Sequence, residues 1–154
     1  MFKIKTMNKI APVGLERLPA ENYTISDDMQ GEDAILVRSA KLHDYDFPES
    51  LWAIARAGAG VNNIPVDRCS EAGVVVFNTP GANANAVKEL VLCAMLLASR
   101  DVIGGAEWVK QQAGTPGVEV ADVVEKGKSA FVGPEVYRKT LGVVGLGAIG
   151  ALVA

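Results

Sequence analysis

Short, continuous apolar runs recur along the first half of the chain and predict a sheet. These runs are Lys3–Thr6, Tyr23–Ser26, Ala34–Arg38, Trp52–Ala57 and Val74–Asn78. Runs of this length without strict alternation are typical of parallel strands that are buried on both faces. Between the last two runs lies Ile64–Gly73, a helical pattern with a proline in its first turn and a glycine at its end. It therefore predicts a β-α-β crossover.

A longer helical pattern follows, and either Asn83 or Asn85 is suited to cap its beginning. Its segment Leu90–Ala98 is apolar almost all round and too short to span a bilayer. We therefore predict a helix that is buried on two sides and connects two domains. A second helix is predicted over about Asp101–Gln112, with one apolar stripe.

The pattern then fades before a strand signal returns near the end of the sequence. Gly114–Arg138 has scattered glycines, two prolines and mixed charge, which predicts an irregular surface segment with one short helix. Leu141–Val144 is again a strand candidate. The sequence predicts an α/β protein with a sheet domain over residues 1–98. Residues 99–154 are predicted to form linking helices and the truncated start of a second domain.

Composition narrows the classes of function. Hydrophobic residues make up 49% of the chain and charged residues 21%, which is a globular composition. A net charge of −3 argues against nucleic acid or an anionic membrane as a main partner. The N-terminus lacks the long apolar stretch of a secretory signal, and Cys69 and Cys93 are interpreted as two buried thiols. These features predict a cytoplasmic protein without a disulfide framework.

The sequence "GLGAIG", residues 145–150, has the spacing of a dinucleotide-binding turn. Gly145 permits a tight turn after a strand, Gly147 lets a pyrophosphate approach the backbone, and Gly150 allows the following helix to pack closely. The amides at the start of that helix would supply an anion site. The alternative is a glycine-rich buried turn, because the motif alone is weak evidence.

Three further segments with polar or glycine residues follow strand candidates. Arg38 and Ser39 end one run and could hold an oxyanion, or Arg38 could be a solvated strand end. Gly58–Gly60 could expose consecutive amides to a carboxylate, or form an ordinary glycine turn. Thr79 opens a turn that leads to Asn83, which either caps the next helix or reaches a ligand.

The one histidine, His43, is interpreted as a surface-loop residue among polar and aromatic neighbours. The sequence contains no Ser/His/Asp arrangement, no metal-binding Cys/His spacing and no basic stripe. The chemistry of hydrolysis by a catalytic triad and of a structural zinc site is therefore not indicated.

Taken in this order, "ILVRSA", "RAGAGVNNIPVDRCSEAGVVVFNTPGANANAVKELVL" and "KTLGVVGLGAIG" resemble the D-isomer-specific 2-hydroxyacid dehydrogenases. The likeness runs from Ala34 to the end, and it is strongest to the members that oxidise 3-phosphoglycerate to 3-phosphohydroxypyruvate, the first step of serine biosynthesis. It implies a flavodoxin-like substrate domain into which a Rossmann domain is inserted, with NAD as the hydride acceptor.

The resemblance also implies roles for individual residues. The residues that would line the substrate side are Arg38, Ser39, Ala59, Gly60, Val61 and Asn83. The residues that would contact NAD are Thr79, Gly145, Gly147, Ala148, Ile149 and Gly150. A homo-oligomer, at least a dimer, and a small phosphorylated 2-hydroxy acid as the substrate are implied as well.

Two departures from the family pattern matter. Members usually carry glycine where this chain has Arg138, so we expect a reshaped turn there. The family's catalytic Arg, Glu and His follow the glycine motif at a distance, and these 154 residues do not contain them. We therefore expect an inactive fragment of an NAD-dependent enzyme. The alternatives are a hydroxypyruvate or glyoxylate reductase, and a non-catalytic module that binds a small acid or senses NAD.

Overall fold

The computed structural model describes residues 1–113, 116–117 and 119–154, which form two compact units, Met1–Asn83 and Ala84–Ala154. The first unit is a five-stranded parallel sheet in the order β2-β1-β3-β4-β5, which is the flavodoxin-like order. Its strands are β1 Phe2–Met7, β2 Tyr23–Ser26, β3 Ala34–Val37, β4 Ala53–Arg56 and β5 Val75–Phe77. The predicted α/β class and all five predicted sheet strands are confirmed.

Two short helices accompany the sheet, α1 at Pro12–Leu15 and α2 at Val66–Glu71. Helix α2 is the predicted crossover between β4 and β5. Gly73 follows its C-cap residue, Ala72, and has a φ of 71°. That left-handed conformation is one that glycine adopts without steric cost, and it turns the chain directly into the buried Val74.

The core lies on one face of the sheet. Strands β3 and β4 contribute Ile35, Val37 and Ile54, each fully buried, and α2 contributes Cys69. The opposite face is packed only in part, since Ile4 is buried there whereas Phe77 at its edge is 57% exposed. The prediction of burial on both faces is therefore wrong, because alternate side chains of each strand point to opposite faces and only one face is fully packed.

Glu32 is the most buried charged residue, at 1% exposure. The Tyr45 hydroxyl donates a hydrogen bond to its Oε1, and the Ser50 hydroxyl donates to its main-chain oxygen over 3.0 Å. These contacts tie the segment between β3 and β4 to the start of β3. Burial raises the pKa of the Tyr45 phenol above its usual value, and the Glu32 carboxylate adds to the rise.

Because the pKa of Tyr45 is raised, we expect the protein to lose stability at alkaline pH. A phenol ionises near pH 10 in the unfolded chain and only at higher pH in the folded one. Its stabilising contribution is therefore complete below pH 10 and is lost as the pH rises above that value. We expect the free energy of unfolding to fall less steeply above pH 10 in Tyr45→Phe than in the wild type, as measured by urea titration. Tyr137→Phe, at a 69% exposed side chain, serves as control, and equal slopes in all three proteins would contradict the expectation.

The second unit is helical in its described residues. Its helices are α3 Ala84–Ser99, α4 Val102–Gln112, α5 Val120–Gly127 and α6 Gly150–Val153, with a 3₁₀ turn at Lys128–Phe131. Asp101 caps α4 by accepting a hydrogen bond from the Gly104 amide over 2.9 Å. Trp108 of α4 stacks against Phe131 with ring centroids 5.4 Å apart, which holds α4 to the 3₁₀ turn.

Helix α3 lies where it was predicted, but it is not buried. Leu90, Leu92 and Leu96 are each at least 45% exposed, and the Cys93 thiol is exposed as well. The interpretation as a helix buried on two sides, with a buried thiol, is therefore wrong for this chain. The apolar pattern only indicates surface that gains from burial, whereas the described residues pack little against it. Cys69 is buried as expected, and burial raises its pKa.

Two further predictions concern Leu141–Val144 and Gly114–Arg138. Leu141–Val144 is not a strand. A strand needs a neighbouring strand as its hydrogen-bond partner, and the described residues of the second unit include no strand. The irregular segment predicted over Gly114–Arg138 contains α5 and the 3₁₀ turn, and its residues 114, 115 and 118 lie outside the described part. Contacts group α3 with the second unit, whereas the sequence analysis grouped it with the sheet. The functional roles of the two domains stay predictions.

Among the described residues, no helix combines the length and the apolar character needed to cross a membrane.

Candidate functional site

The carboxyl ends of β1, β3, β4 and β5 meet at one edge of the parallel sheet. The residues that follow them are Asn8 after β1, Arg38 and Ser39 after β3, Gly58–Gly60 after β4 and Thr79 after β5. Open α/β sheets bind ligands at this edge, where the strand order reverses between β1 and β3. Within the first unit, three of the predicted segments therefore share one edge.

Asn8 organises the turn after β3. Its side-chain Oδ1 accepts hydrogen bonds from the amides of Ser39, over 2.8 Å, and Ala40, over 2.6 Å. Its own φ is 70°, a left-handed conformation that asparagine tolerates better than most residues. The sequence analysis missed Asn8. The available signal was an asparagine placed directly after a strand that ends beside the reversal point.

Arg56 joins the turns after β3 and β4. Its Nε donates to the Arg38 carbonyl over 3.0 Å, and its Nη1 donates to the Asn62 side chain over 3.2 Å. A Cβ built on Gly60 would lie 2.9 Å from Nη1, so the guanidinium occupies the space beside that glycine. Arg56 therefore sets the distance between the turn at Arg38 and Ser39 and the glycine loop at residues 58–60. Like Asn8, it was not among the residues predicted from the sequence.

The two residues that follow β5 donate hydrogen bonds to the same glycine loop. The Thr79 amide donates to the Gly58 carbonyl over 2.9 Å, and the Asn78 side chain donates to the Ala59 carbonyl over 2.6 Å. The Gly58 amide itself donates to the Arg56 carbonyl over 2.9 Å, so it is not part of a free anion nest. The amides of Ala59 and Gly60 have no acceptor among the described residues. They are able to donate to a carboxylate, which is the role that the sequence predicts for this loop.

A cleft of about 530 Å³ opens beside Ser39 in the first unit. The side chains that line it are mostly polar: Ser39, Lys41, His43, Asp44, Arg56, Asn62 and Asn63. The Asn63 amide nitrogen donates to the Ala40 carbonyl over 2.7 Å, while its Oδ1 is buried without a partner in the described residues. The cleft is of the size that small-molecule sites have and offers several hydrogen-bonding groups.

The side chains of Arg38 and Asn83 were also predicted to bind the substrate. The Arg38 guanidinium is exposed and makes no hydrogen bond or ion pair with described residues. Asn83 and Asn85 do not cap α3, since Asn85 bonds Glu89 and Lys88 instead, and the Asn83 side chain has no partner in the described chain. The assignment of these side chains to a substrate stays a prediction.

The glycine turn of the second unit has the backbone that the motif predicts. Gly145 has a φ of 90°, which a side chain would strain. A Cβ on Gly150 would lie 1.9 Å from the Gly145 carbonyl oxygen, so α6 begins in direct contact with the turn. Gly147 has open space on its Cβ side and stays accessible. These three features fit the cradle of a pyrophosphate, although the preceding residues are not a strand.

Arg138 adopts a left-handed backbone conformation that glycine would tolerate better. Its φ is 59°, and its guanidinium lies over the Tyr137 ring at 5.1 Å. The arginine bears a steric cost of about 1 kcal/mol in this left-handed conformation. The expectation that the turn differs from that of the family stays a prediction.

That cost can be measured with two substitutions. Arg138→Ala removes the contact with Tyr137 but keeps a Cβ at positive φ, whereas Arg138→Gly removes the Cβ as well. We expect the glycine variant to be about 1 kcal/mol more stable than the alanine variant in chemical denaturation. Equal stability of the two would show that the turn relaxes to negative φ when the arginine is absent.

No group of three or more metal-ligating side chains occurs among the described residues. The polar groups at the sheet edge are amides, hydroxyls and cations, which suit organic anions better than they suit a metal ion.

Comparisons with known proteins identify relatives of this chain. The profile of the D-isomer specific 2-hydroxyacid dehydrogenase catalytic domain matches residues 9–147. The D-3-phosphoglycerate dehydrogenase of Bacillus subtilis is 31% identical over 166 residues, covering 100% of this chain and 29% of that enzyme. The hydroxypyruvate reductase of Thermotoga maritima is 38% identical over 125 residues, covering 79% of this chain and 37% of that enzyme.

One solved structure is similar to nearly the whole of this chain. The NADPH-dependent glyoxylate/hydroxypyruvate reductase of Sinorhizobium meliloti, in complex with NADP and malonate, has a TM-score of 0.72 at 25% identity. The match covers 98% of this chain and 48% of that protein. The chain therefore spans about a third to a half of the length of these relatives.

Proposed function

Since the chain belongs to the D-isomer-specific 2-hydroxyacid dehydrogenases, we propose that it serves the NAD-dependent oxidation of 3-phosphoglycerate to 3-phosphohydroxypyruvate. The observation that carries this proposal is the edge at which Asn8, Arg56 and Thr79 fix two turns from three different strands. Pre-positioned turns of this kind hold a small anion without a large ordering cost. Relatives named D-3-phosphoglycerate dehydrogenase support the choice of substrate.

In this proposal the carboxylate of the 2-hydroxy acid binds between the two turns. Arg38 supplies a charged guanidinium, Ser39 a hydroxyl, and Ala59 and Gly60 their amides. Charge-assisted hydrogen bonds are the strongest class available to such a ligand, and several of them fix the orientation of a small acid. Val61 and Asn83 complete the proposed substrate contacts.

The glycine turn is proposed to hold the cofactor. The pyrophosphate of NAD would lie against Gly145, Gly147 and the amides of Ala148, Ile149 and Gly150. The open space on the Cβ side of Gly147 supports this role, because it lets a ligand approach the backbone there. When bound, the nicotinamide would accept the hydride from the substrate.

The 154 residues by themselves are proposed to bind ligand without turning it over. Proton transfer from the hydroxyl needs a positioned general base. None of the proposed substrate contacts, which are Arg38, Ser39, Ala59, Gly60, Val61 and Asn83, is such a base. NADH formation from 3-phosphoglycerate by the purified chain would contradict this part of the proposal.

The carboxylate site has its own test. We expect D-glycerate to shift the amide signals of Ser39 and Gly60 in a ¹H–¹⁵N NMR titration. Arg38→Met is expected to weaken binding about tenfold or more, the effect of removing one charge-assisted contact. Arg17→Met, at an exposed arginine outside this edge, is the matched control. Unchanged affinity in Arg38→Met would overturn the proposed role of Arg38.

A second candidate is the reduction of hydroxypyruvate or glyoxylate. The relative from Thermotoga maritima, which is 38% identical, carries the name of such a reductase. The two candidates share the carboxylate site and differ in whether the substrate bears a phosphate, so ligand preference separates them.

A further inference from the structure

Two basic side chains in the cleft beside Ser39 have no protein partner. Lys41 and His43 line this cleft and are exposed in it. In the described part of the chain, neither side chain forms a hydrogen bond, and the ion pair that is present joins Lys128 to Glu125 elsewhere. Unpaired donors that converge on one concave surface are suited to bind an anion.

The loop that carries these side chains is built rigidly. The Leu42 amide donates to the Asn63 carbonyl over 2.8 Å, and Leu42 is fully buried. The Arg68 guanidinium donates to the carbonyl of His43 over 2.8 Å and to that of Tyr45, and it lies 4.1 Å from the Phe47 ring centroid. The backbone at residues 41–45 is therefore held by α2 and by the loop that precedes it, while the side chains of Lys41 and His43 line the cleft.

The charge in the cleft favours a group with more than one negative charge. Lys41 and Arg56 are cationic, and Asp44 is the one carboxylate among the lining residues. A ligand with an anionic group therefore suits the cleft.

We propose that Lys41 and His43 bind the phosphate of a phosphorylated 2-hydroxy acid and thereby select it over its unphosphorylated counterpart. This inference rests on the proposed function, since it places the carboxylate at Ser39, two residues from Lys41 in the same turn.

The test uses the whole chain and observes the imidazole of its single histidine by NMR. Because His43 is the one histidine, its imidazole signals in ¹H–¹³C NMR spectra need no further assignment. 3-Phosphoglycerate and D-glycerate are titrated at fixed pH and ionic strength, followed by inorganic phosphate. We expect 3-phosphoglycerate to shift the imidazole signals and to bind about tenfold or more tightly than D-glycerate, in line with two added charge-assisted contacts.

Variants separate this inference from the proposed function. Lys41→Met is expected to reduce the affinity for 3-phosphoglycerate to near that for D-glycerate, and to leave D-glycerate binding unchanged. Lys110→Met, at an exposed lysine of α4, is expected to change neither. Equal affinities for the two acids, or a Lys41→Met variant that weakens both alike, would overturn the phosphate site. If D-glycerate still shifts Ser39 in that case, the proposed function stands. Phosphate binding at His43 without D-glycerate binding would support the phosphate site and refute the carboxylate site.

Discussion

Replacement of Glu32 by alanine is expected to lower the free energy of unfolding by about 3 kcal/mol. The carboxylate is buried to 1% exposure, and the Tyr45 hydroxyl donates to it. The alanine variant leaves that hydroxyl without its acceptor and creates a cavity beside the core. Chemical denaturation followed by circular dichroism measures the loss.

Two further variants separate the hydrogen bond from the packing. Glu32→Gln keeps a carbonyl oxygen and a similar volume, so it should lose at most about 1 kcal/mol. In the Glu32→Ala/Tyr45→Phe double variant no hydroxyl is left unpaired, so the two losses should not add. Strict additivity would show that the hydrogen bond between Tyr45 and Glu32 contributes nothing to stability.

Asn8→Ala is the second substitution with a large expected effect. It removes the acceptor of the Ser39 and Ala40 amides and places an alanine at a φ of 70°. Two lost hydrogen bonds and the steric cost together predict a loss of about 2 to 3 kcal/mol. The most direct measurement is amide hydrogen exchange, in which Ser39 and Ala40 should lose protection by at least about tenfold.

Asn8→Gly is the matched control, because glycine accepts the positive φ but provides no acceptor. We expect it to lose the protection of both amides while it retains more global stability than Asn8→Ala. If both amides stayed protected in the glycine variant, another group would have to hold the turn, and the assigned role of Asn8 would be wrong.

The sequence predicted where the strands lie better than what covers them. Continuous apolar runs such as Ala34–Val37 indicate a strand whatever the neighbours are, because β-branched and aliphatic residues favour extended backbone. The same runs do not say which face is packed. The exposed Phe77 and the exposed leucines of α3 are as apolar as the buried Ile35, and only their surroundings separate them.

Near the candidate site, the sequence predicted the backbone best where glycines impose a shape, while the roles of the site residues stay predictions. Gly145 and Gly150 have the positive φ and the close contact that the motif implies. The residues that hold the turns, Asn8 and Arg56, act across the sheet through bonds to distant main-chain groups. No local pattern encodes such contacts, since they depend on which strands become neighbours. For the same reason Leu141–Val144 has the composition of a strand without forming one.

The parallel strand order also determines when the first unit is able to fold during synthesis. Strand β5 pairs only with β4, and Val74 completes the core that Ile35 and Ile54 begin. Until the ribosome has released the chain as far as Phe77, the apolar side of β3 and β4 has no finished cover. Because each parallel pairing joins segments far apart in sequence, this closure is slow compared with the formation of a helix. The nascent chain therefore carries uncovered apolar strands for most of the time in which its first unit is made, and this is the interval in which a chaperone would recognise it.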